Sequence, residues 1–180
     1  MLFDQPMSLL AESTEHSRAK DANVKVKMFN TFVRPKMEYA SVVWDPHLKK
    51  DITALENVQR RYTKRIYGLW DVPYEDRLDR LGLSTLRNRR IFLDLLLLYK
   101  IVFNLCSIPF DSLFTFAPSV RQTRGHNMKL FHRHARTDVF KFFYSNRIVS
   151  HWNNLGADIV NVGSYARFKE KLRHMKFNIV

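Results

Sequence analysis

The sequence predicts a mainly α protein, a helical bundle of about five to six helices with a short strand or extended connection near 106–137. Apolar residues recur three and four positions apart over long stretches, the period of helices with one buried face. Only 5 glycines and 6 prolines punctuate the 180 residues, too few turns for many short strands. The hydrophobic fraction is 46%, with 14 phenylalanines, enough apolar surface for a packed core.

Residues 1–23 are polar and mixed and read as a loose N-terminal arm. A first helix is expected over 24–44, with Phe32, Val33, Met37, Ala40, Val43 and Trp44 at helical spacing and therefore buried. Pro35 bends or starts that helix, because it lacks a backbone donor. Asp45-Pro46 ends it, because the residue before proline leaves helical geometry. A second helix is expected over 49–69, with Ile52, Leu55, Val58, Tyr62, Ile66 and Leu69 as its buried stripe. Residues 74–81 form a short helix between Pro73 and the stop signal Gly82. Ser84 is the expected N-cap of a long helix over 85–105, apolar nearly all round in its second half and hence central.

Pro109, Pro118 and Gly125 mark 106–137 as an extended connection, with a short strand or ordered loop at Asn127 to His132. FKFFYSNRIVSHWNNL then reads as one amphipathic helix with Val139, Phe142, Phe143, Val149 and Trp152 inside. A last helix from Ser164 to about Phe177 docks through Tyr165, Phe168, Leu172, Met175 and Ile179. The expected organisation is an arm (1–23), a helical bundle (24–105), a basic extended connection (106–137) and a C-terminal helical part packed on the bundle (138–180).

The formal net charge is +13, and residues 106–180 carry 12 basic residues against 4 acidic. Such a field favours polyanions. A single cysteine, Cys106, excludes an internal disulfide and a multi-cysteine zinc site, and it fits a reducing compartment. The N-terminus lacks the basic start of a signal peptide, so an intracellular, nuclear or cytoplasmic protein is expected, not a secreted one. The apolar run Ile91–Phe103 is too short for a membrane span, which needs about 20 residues. No helix pairs a one-sided apolar surface with a cationic back, so no membrane partner is expected.

The cations supply the candidate contacts. Arg60, Arg61, Lys64 and Arg65 form two i,i+4 pairs on the second helix, and arginine forks match phosphate oxygens bidentately. Arg87, Arg89 and Arg90 open the central helix, an unfavourable place for positive charge, which points to a partner or to acidic neighbours such as Asp79. Arg121 to Arg147 holds seven Lys or Arg against one acid, Asp138. Its candidates are Arg121, Arg124, Lys129, His132, Arg133, His134, Arg136, Lys141 and Arg147, with Phe131 and Tyr144 able to stack on unpaired bases. Arg147 serves equally well as partner of a buried acceptor. His132-x-His134 with His126 lies among cations that oppose a bound metal, and no metal site is expected. No glycine-rich phosphate loop and no activated nucleophile is present.

Four blocks carry a resemblance: TFVRPKMEYASVVWDPHLKKDITALENVQRR from Thr31, YEDRLDRLGLSTLRNRR from Tyr74, TRGHNMKLFHRHART from Thr123 and FKFFYSNRIVSHWNNL from Phe140. They resemble the region after the polymerase core of LINE-class, non-LTR (jockey-like) retrotransposon reverse transcriptases. The resemblance covers roughly residues 24–177. It departs from the family pattern at Gly156, where the family closes the last block with proline. The resemblance implies a thumb, a helical bundle that grips an RNA or RNA–DNA template–primer duplex by its backbone, beside fingers and a palm upstream. The paired aspartates of a reverse transcriptase, in a [FY]-x-D-D turn, are absent, and Glu75-Asp76 reads as a charge pair at a helix start. The expectation is a non-catalytic fragment of an RNA-directed DNA polymerase with no cofactor of its own, Mg²⁺ belonging to the palm. The alternative is an inactive mobile-element remnant, or a helical interaction module reused by a host.

Overall fold

The structure, a computed structural model, describes residues 21–118, 125–173, 175 and 177. It is mainly helical, as expected. The described residues fall into two compact units. The first holds Leu48–Leu86 and the segment ending at Tyr39; the second holds Ala40–His47 and the chain from Arg87 onward.

The first unit opens with a helix over 21–28 (α1), which runs into a π-helical turn, Phe29–Val33, and then α2, Arg34–Glu38. Pro35 has no N–H to continue the regular ladder, and the chain absorbs the defect by widening one turn, with Arg34 N–H donating to Phe29 O. Ala40 then takes the left-handed conformation at φ 52° and ends the run. The single helix expected over 24–44 is therefore divided, and α3, Ser41–Trp44, belongs to the second unit. The widened turn shifts the register, so the apolar series does not form one buried stripe. Phe32 is 65% exposed and Val43 81%, which corrects the expectation that both are core. Phe29 is the buried anchor instead: its ring lies 4.8 Å from that of Tyr62, whose hydroxyl donates to Lys25 O at 2.8 Å.

Helix α4, Lys49–Lys64, and helix α5, Tyr74–Leu81, complete this unit. Ile66, Leu69, Tyr74, Leu78 and Leu86 are buried as apolar packing requires. On α4 itself, however, the fully buried positions are Glu56, Gln59 and Thr63, whereas Val58 is exposed. Gly82 ends α5 at φ 62°, with Leu83 N–H donating to Leu78 O at 2.8 Å.

Helix α6, Leu86–Val102, starts at the last residue of the first unit and from Arg87 onward is central in the second, with Leu95, Leu98 and Ile101 fully buried. Around it pack α9, Tyr144–Asn153, through Ile148, Val149 and Trp152, and α11, Tyr165–Arg173, through Phe168 and Leu172. Short helices α7 (Phe110–Leu113), α8 (Asp138–Phe142) and α10 (Ala157–Val160) connect them. The expected strand at 127–132 is a single antiparallel bridge, Phe116 to Leu130, flanked by Ala117 N–H to Lys129 O and Phe131 N–H to Thr115 O, both 2.8 Å. The helix expected from Phe140 to Leu155 is broken: Thr137 Oγ1 caps α8 and Phe143 turns extended (φ −64°, ψ 148°). Val139 and Phe143 consequently lie exposed, not inside. The last helix is shorter than expected, and Ile179 of its stripe lies outside the described residues.

Candidate nucleic-acid interface

Arg60, Arg61, Lys64 and Arg65 are all exposed. At roughly 100° per residue Arg61 and Arg65 point away from Glu56, Gln59 and Thr63, Lys64 lies at about a right angle to them, and Arg60 borders the buried face. Arg60 is partly committed within the protein: its guanidinium lies 4.6 Å from the centre of the Tyr74 ring, and its carbonyl accepts from Arg77 Nη1 at 3.2 Å. Arg61, Lys64 and Arg65 stand in solvent at the C-terminal end of the helix, where positive charge is locally favourable.

What holds this face outward is polar. Glu56 accepts a hydrogen bond from the Tyr74 hydroxyl and, through both carboxylate oxygens, from the Leu86 N–H at 3.2 and 3.1 Å. Gln59 donates to Tyr74 Oη and to Ser84 O, each at 3.0 Å. Burial, and then Glu56, push the Tyr74 phenol far above its ordinary pKa, so it stays protonated and donating. Leu86 is the first residue of α6, whose first turn has no acid of its own. Glu56 therefore supplies the negative charge that this helix end requires. Ser84, expected to cap α6, contributes a carbonyl to Gln59.

The arginine cluster at the start of α6 divides. Arg87 and Arg89 are half-buried, and Arg89 lies 5.1 Å over the Phe92 ring. Arg90 is 2% exposed and pairs with Asp45. This corrects its reading as a nucleic-acid contact: its charge is spent inside the second unit. Arg147 has the same fate. It donates to Asp94 Oδ2 from Nε (3.2 Å) and Nη2 (3.0 Å), to Val42 O (2.8 Å) and to Phe142 O (3.2 Å), and it lies 3.7 Å from Asp45 Oδ2. Of the two uses considered for Arg147, partnering a buried acceptor is what the geometry supports. Asp45, Arg90, Asp94 and Arg147 form a charge-balanced quartet. Burial nevertheless pushes the Asp94 carboxyl up to about 6, against the opposing pull of Arg147. Tyr144, donating to Asp94 O at 3.0 Å, is core and not a stacking surface; burial raises its pKa strongly.

The basic segment of the second unit is held by α9. Asn153 pairs with both backbone groups of Leu130, accepting its N–H and donating to its carbonyl, each at 2.8 Å. Trp152 Nε1 donates to Met128 O at 2.8 Å, and His126 Nε2 lies 3.0 Å from Trp152 O. Burial lowers the His126 pKa and keeps the ring neutral. Beyond this clamp His132, Arg133, His134, Arg136 and Lys141 are exposed, with Phe131, while Lys129 is half-buried. Arg133 donates to Thr115 Oγ1 at 3.2 Å. Arg121 and Arg124 lie outside the described residues.

Two exposed aromatics next to α4, Tyr67 and Trp70, were missed in the sequence reading. The signal is present there: both fall off the stripe of Tyr62, Ile66 and Leu69. Among the described residues, no group of three or more His, Cys, Asp or Glu is placed to hold a metal ion, and no helix is long and apolar enough to cross a membrane.

No protein-family model matches the chain, and no solved structure matches it. An uncharacterized protein of Caenorhabditis elegans is similar, 29% identical over 77 residues, 41% of this chain. The match spans 39% of that protein's length.

Proposed function

We propose that this chain is the thumb-like, non-catalytic part of a non-LTR retrotransposon reverse transcriptase and contacts the backbone of an RNA or RNA–DNA template–primer without sequence specificity. The observation that carries the reading is the exposed row Arg61, Lys64 and Arg65, with Arg60 at its edge, at the C-terminal end of a helix whose buried face is held by Glu56 and Gln59. A rigid helix with a cationic outer face binds phosphates by position and charge, and shape does the rest. The resemblance of four sequence blocks adds the class of enzyme. On this reading Mg²⁺ and the catalytic aspartates belong to the palm of the polymerase that the chain works beside. The exposed Val24, Met28 and Phe32 of the first unit fit a piece that meets another part of a larger protein. The same apolar row supports the second reading, a host-reused interaction module or an inactive remnant with no nucleic-acid role.

Binding of the full chain to an RNA–DNA hybrid, measured against salt, separates the two. The expected log–log slope is about −0.9 per phosphate contact on a B-form duplex, and somewhat less on other forms. Replacing Arg60, Arg61, Lys64 and Arg65 by Gln should flatten it by about two to four. Absence of binding at about 50 mM salt, or a flat dependence, refutes the phosphate reading. An unchanged slope in the quadruple variant moves the contact to 129–141.

A further inference from the structure

Tyr67 and Trp70 are 62% and 68% exposed, in the turn that follows α4. Tryptophan ordinarily hides most of its indole, so this presentation requires a local cause. The turn provides one. Ile66 and Leu69, each one position earlier, are buried in the first unit. Backbone bonds from Ile66 N to Thr63 O (3.2 Å), Leu69 N to Ile66 O (3.1 Å) and Val72 N to Leu69 O (3.3 Å) wind successive tight turns. Gly68 lies between the two aromatics at φ 75°, a left-handed conformation that side chains rarely adopt. Each apolar anchor thus turns the aromatic after it toward water.

The charge next to this pair is one-sided. Residues 60–71 hold Arg60, Arg61, Lys64 and Arg65 against one acid, Asp71. Arg61, Lys64 and Arg65 are exposed, and Trp70 lies five positions after Arg65, at most about 18 Å of chain and less in turns. A strand of a few nucleotides covers that span. Aromatic faces beside a row of phosphate-binding cations are the two components of a single-strand binding surface, because every base has a face to stack.

We infer that Tyr67 and Trp70 form a stacking platform for unpaired bases of a single strand whose phosphates lie along Arg61, Lys64 and Arg65. The inference rests on the phosphate reading above and adds the ligand class: single-stranded ends or overhangs, not only duplex. An apolar peptide is disfavoured as occupant because the flanking exposed side chains are cationic.

The test uses the full chain, an oligothymidylate of about 20 nucleotides and a blunt RNA–DNA hybrid of equal length, with binding followed by anisotropy. Trp70→Ala should weaken oligothymidylate binding by about 5- to 150-fold with an unchanged salt slope, while hybrid binding changes less than about twofold. Trp70→Phe should retain most of the affinity, and Tyr67→Ala should lose a similar share. Equal losses on hybrid and single strand, or a silent Trp70→Ala, overturn the platform. If the hybrid still binds and its slope still depends on Arg60, Arg61, Lys64 and Arg65, the phosphate reading survives that result. Failure of both probes to bind at about 50 mM salt overturns both. Far-ultraviolet circular dichroism checks that the variants fold, which the exposure of Trp70 favours.

Discussion

Glu56 is the side chain on which the first unit should depend most. It is buried, carries the negative charge at the start of α6, and is bonded to two groups that have no water to turn to, Tyr74 Oη and Leu86 N. Glu56→Ala removes the acceptor of a buried amide, which costs about 1–3 kcal/mol when left unpaired. It also removes a charge at a helix N-terminus, worth about 0.3–1 kcal/mol at the surface and up to about 2 when partly buried. Tyr74 Oη keeps its contact from Gln59 but loses its own acceptor. A loss of about 3–4 kcal/mol follows. Glu56→Gln preserves an acceptor oxygen and gives up the charge, for a loss of about 1–2 kcal/mol. Glu56→Asp, one methylene shorter, should behave like Ala because its oxygens fall short of Leu86 N. The assay is urea unfolding, with the midpoint read at constant m; with m of about 1–3 kcal/mol/M, the Ala variant should shift by one to several molar. Val58→Ala, on the exposed side of the same helix, is the control and should cost below about 0.5 kcal/mol. A Glu56→Ala loss below about 1 kcal/mol, or a Gln variant no better than Ala, would refute the reasoning.

Three further outcomes follow from the second unit. Arg147→Lys should cost about 2–4 kcal/mol of stability, because an ammonium cannot fork to Asp94 while reaching Val42 O and Phe142 O; the salt slope of hybrid binding should stay the same. Asp94 titrates at about 6 in the fold and 3.8 unfolded, so the native state binds the extra proton between these values and stability falls as pH rises from about 4 to about 6. His126 and His151, whose pKa values burial lowers, act oppositely, weakening the fold as pH drops below about 6.5. The stability difference between the parent and Asp94→Asn isolates the first effect: it should move by about 2 kcal/mol across pH 4–7 in favour of the variant, and a constant difference contradicts it. Asn153→Ala and Asn153→Asp should each cost about 2–4 kcal/mol in thermal unfolding; Asp keeps an acceptor for Leu130 N–H but meets Leu130 O with a second acceptor.

Helices α5, α6 and α11 were legible because their apolar residues keep a helical period on a buried face. The region before α4 was not. Pro35 lacks an N–H and so marks a defect, but a proline by itself does not tell a π-helical turn from a kink or a helix start. Ala40 in the left-handed region carries no residue-type signal, since Gly or Asn is the usual occupant. The polar centre of the first unit escaped for another reason. Glu56, Gln59 and Thr63 are spaced as a buried helix face, yet a search for apolar period discards them. The outer cations of α4 were legible as the complement of its stripe. Charge alone did not separate Arg61 and Arg65, in solvent, from Arg90 and Arg147, in the interior, because pairing with Asp45 and Asp94 is a tertiary fact.

The same separation divides the residues of the four blocks that carry the resemblance. The blocks that carry it place Asp45 of VVWDPH, Arg90 of LRNRR and Arg147 of YSNR in one buried quartet. They also place His126 of TRGH and Asn153 of HWNNL in one clamp on the segment at Leu130. Residues of this kind are constrained because removing one partner strands a buried charge or backbone group, whatever the protein does. The motif positions therefore report a fold, and an inactive remnant would keep them as long as it stayed folded. Function has to be sought outside the quartet and the clamp: on the outer face of α4, in the turn with Tyr67 and Trp70, and at the exposed cations from His132 to Lys141. If the exposed cations make no contact with nucleic acid, replacing them will change neither hybrid binding nor stability, while replacing a member of the quartet will cost stability.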